Sequence, residues 1–259
     1  MLNHINRFRE KLSGGTLCLG SGISLNDPVI SEALAPLVDF LWIDMEHNPI
    51  GIETLLGHLI AARAGGAPAI VRVPGSEVSV LKPVLDTGVE GIIVPQVRSA
   101  AEVREVVQAC RYIPLGNRGW GPRRPSEYGR RDQKQIVREA NEQLFVAVQI
   151  ENTDAFAELD EIVAVSGIDS LVVGPFDLSF SMNLPGQVDH PEVLKSIEMI
   201  VRKTHEAGLS VGIGDEANAE SSARWAEMGI DWIQCGGDLG YLLKTAESLF
   251  SRIRSIVKK

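Results

Sequence analysis

The sequence predicts an α/β fold: a (β/α)8 TIM barrel. Eight short apolar runs recur along the chain, near Thr16–Gly20, Asp39–Ile43, Ala69–Val73, Gly91–Pro95, Leu144–Ile150, Ser170–Val173, Ser210–Ile213 and Asp231–Cys235. Each is followed by a helical pattern or by a loop leading to one, with no break in composition between them. Reactive residues stand at the ends of many different runs rather than at one switch point, which favours a closed barrel over an open doubly wound sheet. One domain covering residues 1–259 is expected.

The elements follow in order. Asn26-Asp27-Pro28 puts a capping side chain before a proline that a first helical turn tolerates. Ser99, with Glu102 three residues on, opens the helix after the fourth run as a capping box does. The interruption from Arg111 to Arg131 is rich in Gly, Pro and Arg, and a loop that long in a compact domain is usually functional, here as a site lid or a subunit contact. Phe145-Val146-Ala147-Val148 and Leu171-Val172-Val173 are short, β-branched and bounded by polar residues or Gly/Pro, as parallel strands covered on both faces are. Ala207-Gly208 and Met228-Gly229 end helices just before the seventh and eighth strands. In the final segment Leu239, Leu242, Leu243, Ala246, Leu249, Phe250, Ile253, Ile256 and Val257 recur at helical spacing, so one face of that helix needs a partner.

A hydrophobic content of 44% and a charged content of 23% suit a protein with a substantial core. The formal net charge of −9 argues against a nucleic-acid surface. Cys18, Cys110 and Cys235 form neither a metal pattern nor a disulfide framework. No apolar stretch is long enough for a membrane helix, and residues 1–11 lack a signal-peptide core, so a cytoplasmic protein is expected.

The chemistry concentrates at strand ends. Glu151 and Asp177 close the fifth strand and follow the sixth, and two such carboxylates suit a hard divalent cation that keeps positions open for water and substrate. Taken singly, each could cap a helix or pair with a lysine. His47 follows Asp44 and Glu46; a neighbouring carboxylate can raise an imidazole's basicity, as a general base requires, although a lone loop histidine fits too. Arg72 lies within an apolar strand and needs an anionic partner, either a structural one (Asp44, Glu46 or Asp86) or a substrate carboxylate or enolate. No lysine occupies an interior strand position, so a Schiff base has no evident nucleophile. Gly116-Asn-Arg-Gly-Trp-Gly121 lacks the Gly-Lys-Ser/Thr of a phosphate loop.

Asp44-Met-Glu-His47, Val71-Arg-Val-Pro74, Gly91-Ile-Ile-Val-Pro95, Arg111-Tyr112 with Gly116-Asn-Arg-Gly119, Gln149-Ile-Glu151 and Gly174-Pro-Phe-Asp-Leu-Ser179 together resemble one family. It is the metal-dependent (class II) pyruvate aldolases of the 4-hydroxy-2-oxoheptane-1,7-dioate and 2-keto-3-deoxy-L-rhamnonate aldolase group. The resemblance implies a barrel of the phosphoenolpyruvate/pyruvate type, a homohexamer built as a dimer of trimers, and a carboxyl-terminal helix exchanged with a neighbouring subunit. It implies that Glu151 and Asp177 bind Mg2+, Mn2+ or Co2+, which pyruvate chelates through its keto and carboxylate oxygens. It further implies that Arg72 holds the developing enolate, that His47 oriented by Asp44 moves the C4-hydroxyl proton, and that Gln149 and the N–H groups of Phe176 and Asp177 bind pyruvate. Glu46 and Asp86 would support the metal waters and the base. Departures are Ile113 for a common proline, a bulky Phe176 where several relatives carry a small residue, and a loop whose Trp120, Arg123 and Arg124 form a specificity element.

The activity implied is reversible cleavage of a 4-hydroxy-2-oxo acid to pyruvate and an aldehyde. A β-hydroxyacyl-CoA lyase, with Arg123, Arg124, Arg130 and Arg131 near the nucleotide, and an oxaloacetate decarboxylase would use the same enolate site. A non-catalytic carboxylate-binding barrel is the alternative outside enzymes.

Overall fold

Alternation along each strand sorts the apolar residues of this chain into two cores. In the computed structural model, which describes residues 4–257, the strands are β1 (Cys18–Ile23), β2 (Phe40–Asp44), β3 (Ala69–Arg72), β4 (Gly91–Val94), β5 (Phe145–Ile150), β6 (Ser170–Val173), β7 (Ser210–Asp215) and β8 (Trp232–Gly237). All pair in parallel, in sequence order, and β8 returns to β1 to close the barrel. Leu41, Ile43, Val71, Ile92, Val146, Val148, Leu171, Ile213 and Ile233 pack outward against the helices. The intervening Phe40, Trp42, Ile70, Ile93, Phe145, Ala147, Val172 and Trp232 fill the interior.

The foot of the barrel is sealed by the helix Ile5–Ser13. Its Phe8 ring lies 5.3 Å from Phe40, 5.5 Å from Phe145 and 6.0 Å from Trp232, edge to face in each case. Glu90 fixes this helix by accepting the N–H groups of His4 (2.8 Å) and Ile5 (2.9 Å). Glycine makes room for the plug: a Cβ on Gly20 would strike the Phe40 ring, and one on Gly212 the Trp232 ring.

The expected elements form, with shifts at their ends. Ser99 accepts from Glu102 N at 3.2 Å, but the Glu102 carboxylate turns to Arg98 N and Ser76 Oγ, so only half of the capping box is made. Asp27 caps Val29 N at 3.0 Å. Gly208 and Gly229 have φ of 75° and 96°, as helix-ending glycines do. β1, β7 and β8 run beyond their expected ends, because Gly22, Gly214, Gly236 and Gly237 continue the strands instead of stopping them.

The helix Asp238–Ile256 docks through its first turn, where the Asp238 carboxylate accepts Ser24 N and Leu25 N. Beyond that turn Leu242, Phe250, Ile253 and Ile256 are exposed, so the apolar face has no partner among the described residues. Among the described residues no helix is long and apolar enough to cross a membrane.

Candidate active site

In a parallel barrel every strand delivers its last side chains to the same end. Asp44 (β2), Arg72 (β3) and Glu151 (just past β5) meet there because the alternation that places Trp42, Ile70 and Ala147 inside continues upward along each strand. Arg72 makes a two-pronged pair with Asp44: Nε donates to Oδ1 at 2.9 Å, and Nη2 lies 2.9 Å from Oδ2. Its guanidinium also stands over the Trp42 ring, 5.4 Å from the centroid. Burial pulls the Asp44 carboxyl upward, but the Arg72 hydrogen bond and charge, with Glu46 N–H, outweigh it and hold the group below its ordinary value.

Asp44 also accepts Glu46 N (3.1 Å), His47 N (3.4 Å) and Asn48 Nδ2 (2.7 Å), so it pins the turn that carries the histidine. The His47 side chain is 61% exposed, and its Nε2 lies 3.4 Å from Glu46 Oε2. This corrects one expectation: Glu46, not Asp44, is the carboxylate at the imidazole, while Asp44 acts on the His47 backbone. Glu46 Oε2 is also 3.2 Å from Arg72 Nε, yet it forms an aligned hydrogen bond with neither neighbour.

Glu151 is 2% exposed. Its Oε1 accepts Gln96 N at 2.7 Å and its Oε2 accepts Gln149 Nε2 at 2.5 Å. Gln96 points that N–H at the acid by adopting φ = 57°, a left-handed conformation uncommon outside glycine. Burial raises the Glu151 carboxyl to about 7; the Gln96 N–H opposes this, while the charges of Asp177 and Glu46 add to it. Asp177 sits in the first turn of the helix Pro175–Ser181, with the 53%-exposed Phe176 beside it. Gly174 lets that turn approach: a Cβ there would lie 2.5 Å from Glu151 Oε2. Gln149 Oε1 is buried without a hydrogen-bond partner among the described residues.

Among the described residues no group of three or more His, Cys, Asp or Glu side chains is arranged to hold a metal ion. The pair Glu151 and Asp177 still fits one: the charge of Asp177 raises the proton affinity of both Glu151 and Glu46, a repulsion that a hard cation relieves.

Three expectations are not met within one chain. Asp86 ends the helix Val78–Asp86, so it lies at the strand-start end of the barrel, held by Arg118 Nη2 (3.0 Å) and Lys82 Nζ (2.7 Å), away from His47 and Glu151. The Arg111–Arg131 loop joins the end of the helix Ala100–Cys110 to the helix Gln133–Gln143, which leads into β5, and it packs at that same end against Lys82 and Asp86, so it is no lid over its own chain's site. Of its expected specificity residues, Trp120 packs 5.7 Å from the Tyr112 ring, Arg124 donates to Thr87 O at 3.0 Å, and Arg123 is exposed. Conversely, sequence reasoning missed Trp42, Asn48, Gln96 and Gln234. Alternation could have found Trp42 and Gln234; the backbone role of Gln96 left no signal.

The HpcH/HpaI aldolase/citrate lyase family matches residues 23–243. The chain belongs to this family. Membership makes it an enzyme of the aldolase type and bears out the motif resemblance. The chain is 34% identical to the hydroxypyruvate/pyruvate aldolase of Pseudomonas aeruginosa, over 96% of this chain and 93% of that one. It is 36% identical to the 4-hydroxy-2-oxo-heptane-1,7-dioate aldolase of Shigella sonnei, over 95% and 94%. An HpcH/HpaI aldolase/citrate lyase family protein from Burkholderia cenocepacia superposes with a TM-score of 0.90 at 29% identity, covering 96% of this chain and 99% of the other.

Proposed function

We propose that this family member is a divalent-metal-dependent pyruvate aldolase, with one catalytic domain over residues 1–259, that cleaves a 4-hydroxy-2-oxo acid reversibly to pyruvate and an aldehyde. The observation that carries it is the meeting, at one barrel end, of an acid cluster (Glu151, Asp177, Glu46) with an arginine locked by Asp44 and an exposed histidine.

Glu151 and Asp177 would hold Mg2+, Mn2+ or Co2+, which supplies Lewis acidity to the substrate's keto group. Arg72, kept rigid by Asp44 and Trp42, stabilises negative charge on the keto oxygen as the C3–C4 bond breaks and its electron pair passes to C3. His47 accepts the C4-hydroxyl proton as the aldehyde forms, and Glu46 beside its Nε2 stabilises the resulting imidazolium. In the synthetic direction the same proton returns. Gln149, whose Oε1 lacks a partner among the described residues, and the first-turn N–H groups of Phe176 and Asp177 face the pyruvate half.

The CoA-lyase alternative loses its footing, since Arg123, Arg124, Arg130 and Arg131 belong to the loop at the opposite end. The uncovered face of Asp238–Ile256 supports exchange of that helix with a neighbouring subunit in a dimer-of-trimers homohexamer, which would bring each site close to another subunit. Three free cysteines support a reducing cytoplasm.

The test is pyruvate release from a 4-hydroxy-2-oxo acid before and after EDTA, with Mg2+ or Mn2+ restored. Metal-dependent release that Glu151→Ala and Asp177→Ala both abolish is expected. Release indifferent to EDTA and to both substitutions would refute the assignment.

A further inference from the structure

One arc of the barrel mouth is almost bare of side chains. Gln234 on β8 is in register with Gly20 on β1 and Gly214 on β7, so it is the one side chain at its level on these three strands. Two residues above Trp232, it faces inward. Its amide occupies the space the glycines leave: a Cβ on Gly22 would lie 3.0 Å from Nε2, and one on Gly214 would lie 3.1 Å from Oε1.

Gln234 lines a cavity of about 170 Å3 together with Ser24, Trp42, Asp44, Arg72 and Asp238. The cavity reaches Arg72 from the β8–β1–β2 side, whereas Glu151 and Asp177 approach from β5 and β6. Its charged and hydroxyl groups are engaged, Arg72 with Asp44 and Ser24 Oγ with Asp238 at 2.6 Å, and Asn48 Nδ2 donates to Asp44 at 2.7 Å. Gln234 Nε2 donates to Gly236 O, which leaves a second N–H, and among the described residues Oε1 accepts no hydrogen bond. Two acids and one paired arginine give the cavity no free cation for a carboxylate.

We propose that this cavity receives the aldehyde half of the substrate and that Gln234 selects it, favouring an uncharged aldehyde with a hydroxyl beside the carbonyl. The inference rests on the aldolase reading and adds to it the class of acceptor.

Gln234→Met keeps the length of the side chain and removes its hydrogen bonding. The enzyme, loaded with Mg2+ or Mn2+, is assayed for aldol addition of pyruvate to glycolaldehyde against acetaldehyde, and to glyceraldehyde against propanal. Succinic semialdehyde is the charged comparison, and pyruvate C3 proton exchange followed by NMR reports the enolate step alone. Wild type should prefer the hydroxylated member of each pair. In the variant that preference in kcat/KM should fall about 3- to 10-fold, the worth of one hydrogen bond, with exchange unchanged within about twofold. An unchanged preference, a parallel loss of exchange, or a wild-type preference for succinic semialdehyde would overturn the proposal. Absence of exchange in the metal-loaded wild type would instead overturn the aldolase reading, and this inference with it.

Discussion

Gly174→Ala isolates the packing that fixes the acid cluster. Gly174 has φ = −105°, open to any residue, so the substitution acts through space alone. The new Cβ would stand 2.5 Å from Glu151 Oε2, 2.6 Å from Glu151 Cβ and 2.9 Å from Gln149 Nε2. Ordinary contact begins near 3.4 Å, so the Glu151 atoms must retreat by about 0.8–0.9 Å. Glu151 cannot yield cheaply, because Gln96 N and Gln149 Nε2 hold its two oxygens and the residue is buried. Overpacking of this kind costs about 1–3 kcal/mol, and a displacement near 1 Å in a catalytic group costs about 10²-fold in rate. Urea denaturation measures the first effect; steady-state cleavage and calorimetric Mn2+ titration measure the second. Gly51→Ala is the control, since nothing lies within 4 Å of its Cβ position. If Gly174→Ala matched wild type in stability, turnover and Mn2+ affinity, the described fixing of Glu151 would be wrong.

Arg72→Lys keeps the charge but loses the two-pronged pair with Asp44; cleavage and pyruvate C3 exchange should both fall roughly 10²–10³-fold, and wild-type exchange with slow cleavage would move Arg72 to the aldehyde half. His47→Ala should slow cleavage roughly 10²–10⁴-fold but oxaloacetate decarboxylation less, because decarboxylation removes no hydroxyl proton; equal losses would reduce His47 to a structural role. Burial depresses the His58 imidazole's pKa, against smaller upward pulls from the Leu25 backbone, Asp238 and Asp27. The unfolded chain therefore takes up this proton first, so stability is complete above pH ~6.5 and declines as pH falls toward the lower folded value, by at most about 1.4 kcal/mol per pH unit. Urea midpoints between pH 7.5 and 5 should show a decline that His58→Gln flattens, and an unaltered slope in the variant would contradict this.

The fold could be read because strand and helix signals alternate along the chain, and because β5 and β6 are short apolar runs rich in valine. Errors at strand ends had one source. Glycine at the end of an apolar run reads as punctuation, whereas Gly22, Gly214 and Gly236 lie within strands and close against Gln234 or Ala217. That misreading also hid Gln234. Asp44, Glu46, Arg72 and Glu151 were legible because charge at the end of an apolar strand is costly without a purpose. Asp86 was not, because a helix end gives no local sign of which barrel end it occupies until the helix is placed. Gln96 was invisible for another reason: its contribution is a backbone N–H, which any residue but proline could supply.

The aromatic seal at the foot of the barrel sets an order of assembly. Phe8 is made before its socket, which needs Phe145 and Trp232 from far later in the sequence. The helix Ile5–Ser13 therefore has nowhere to dock until β8 is in place, and its contacts are among the most distant in sequence that the fold contains. During synthesis the apolar stripe of that helix and the open foot of the barrel are exposed together, which invites chaperone capture or association between unfinished chains. A segment made ahead of every strand is the last to find its place.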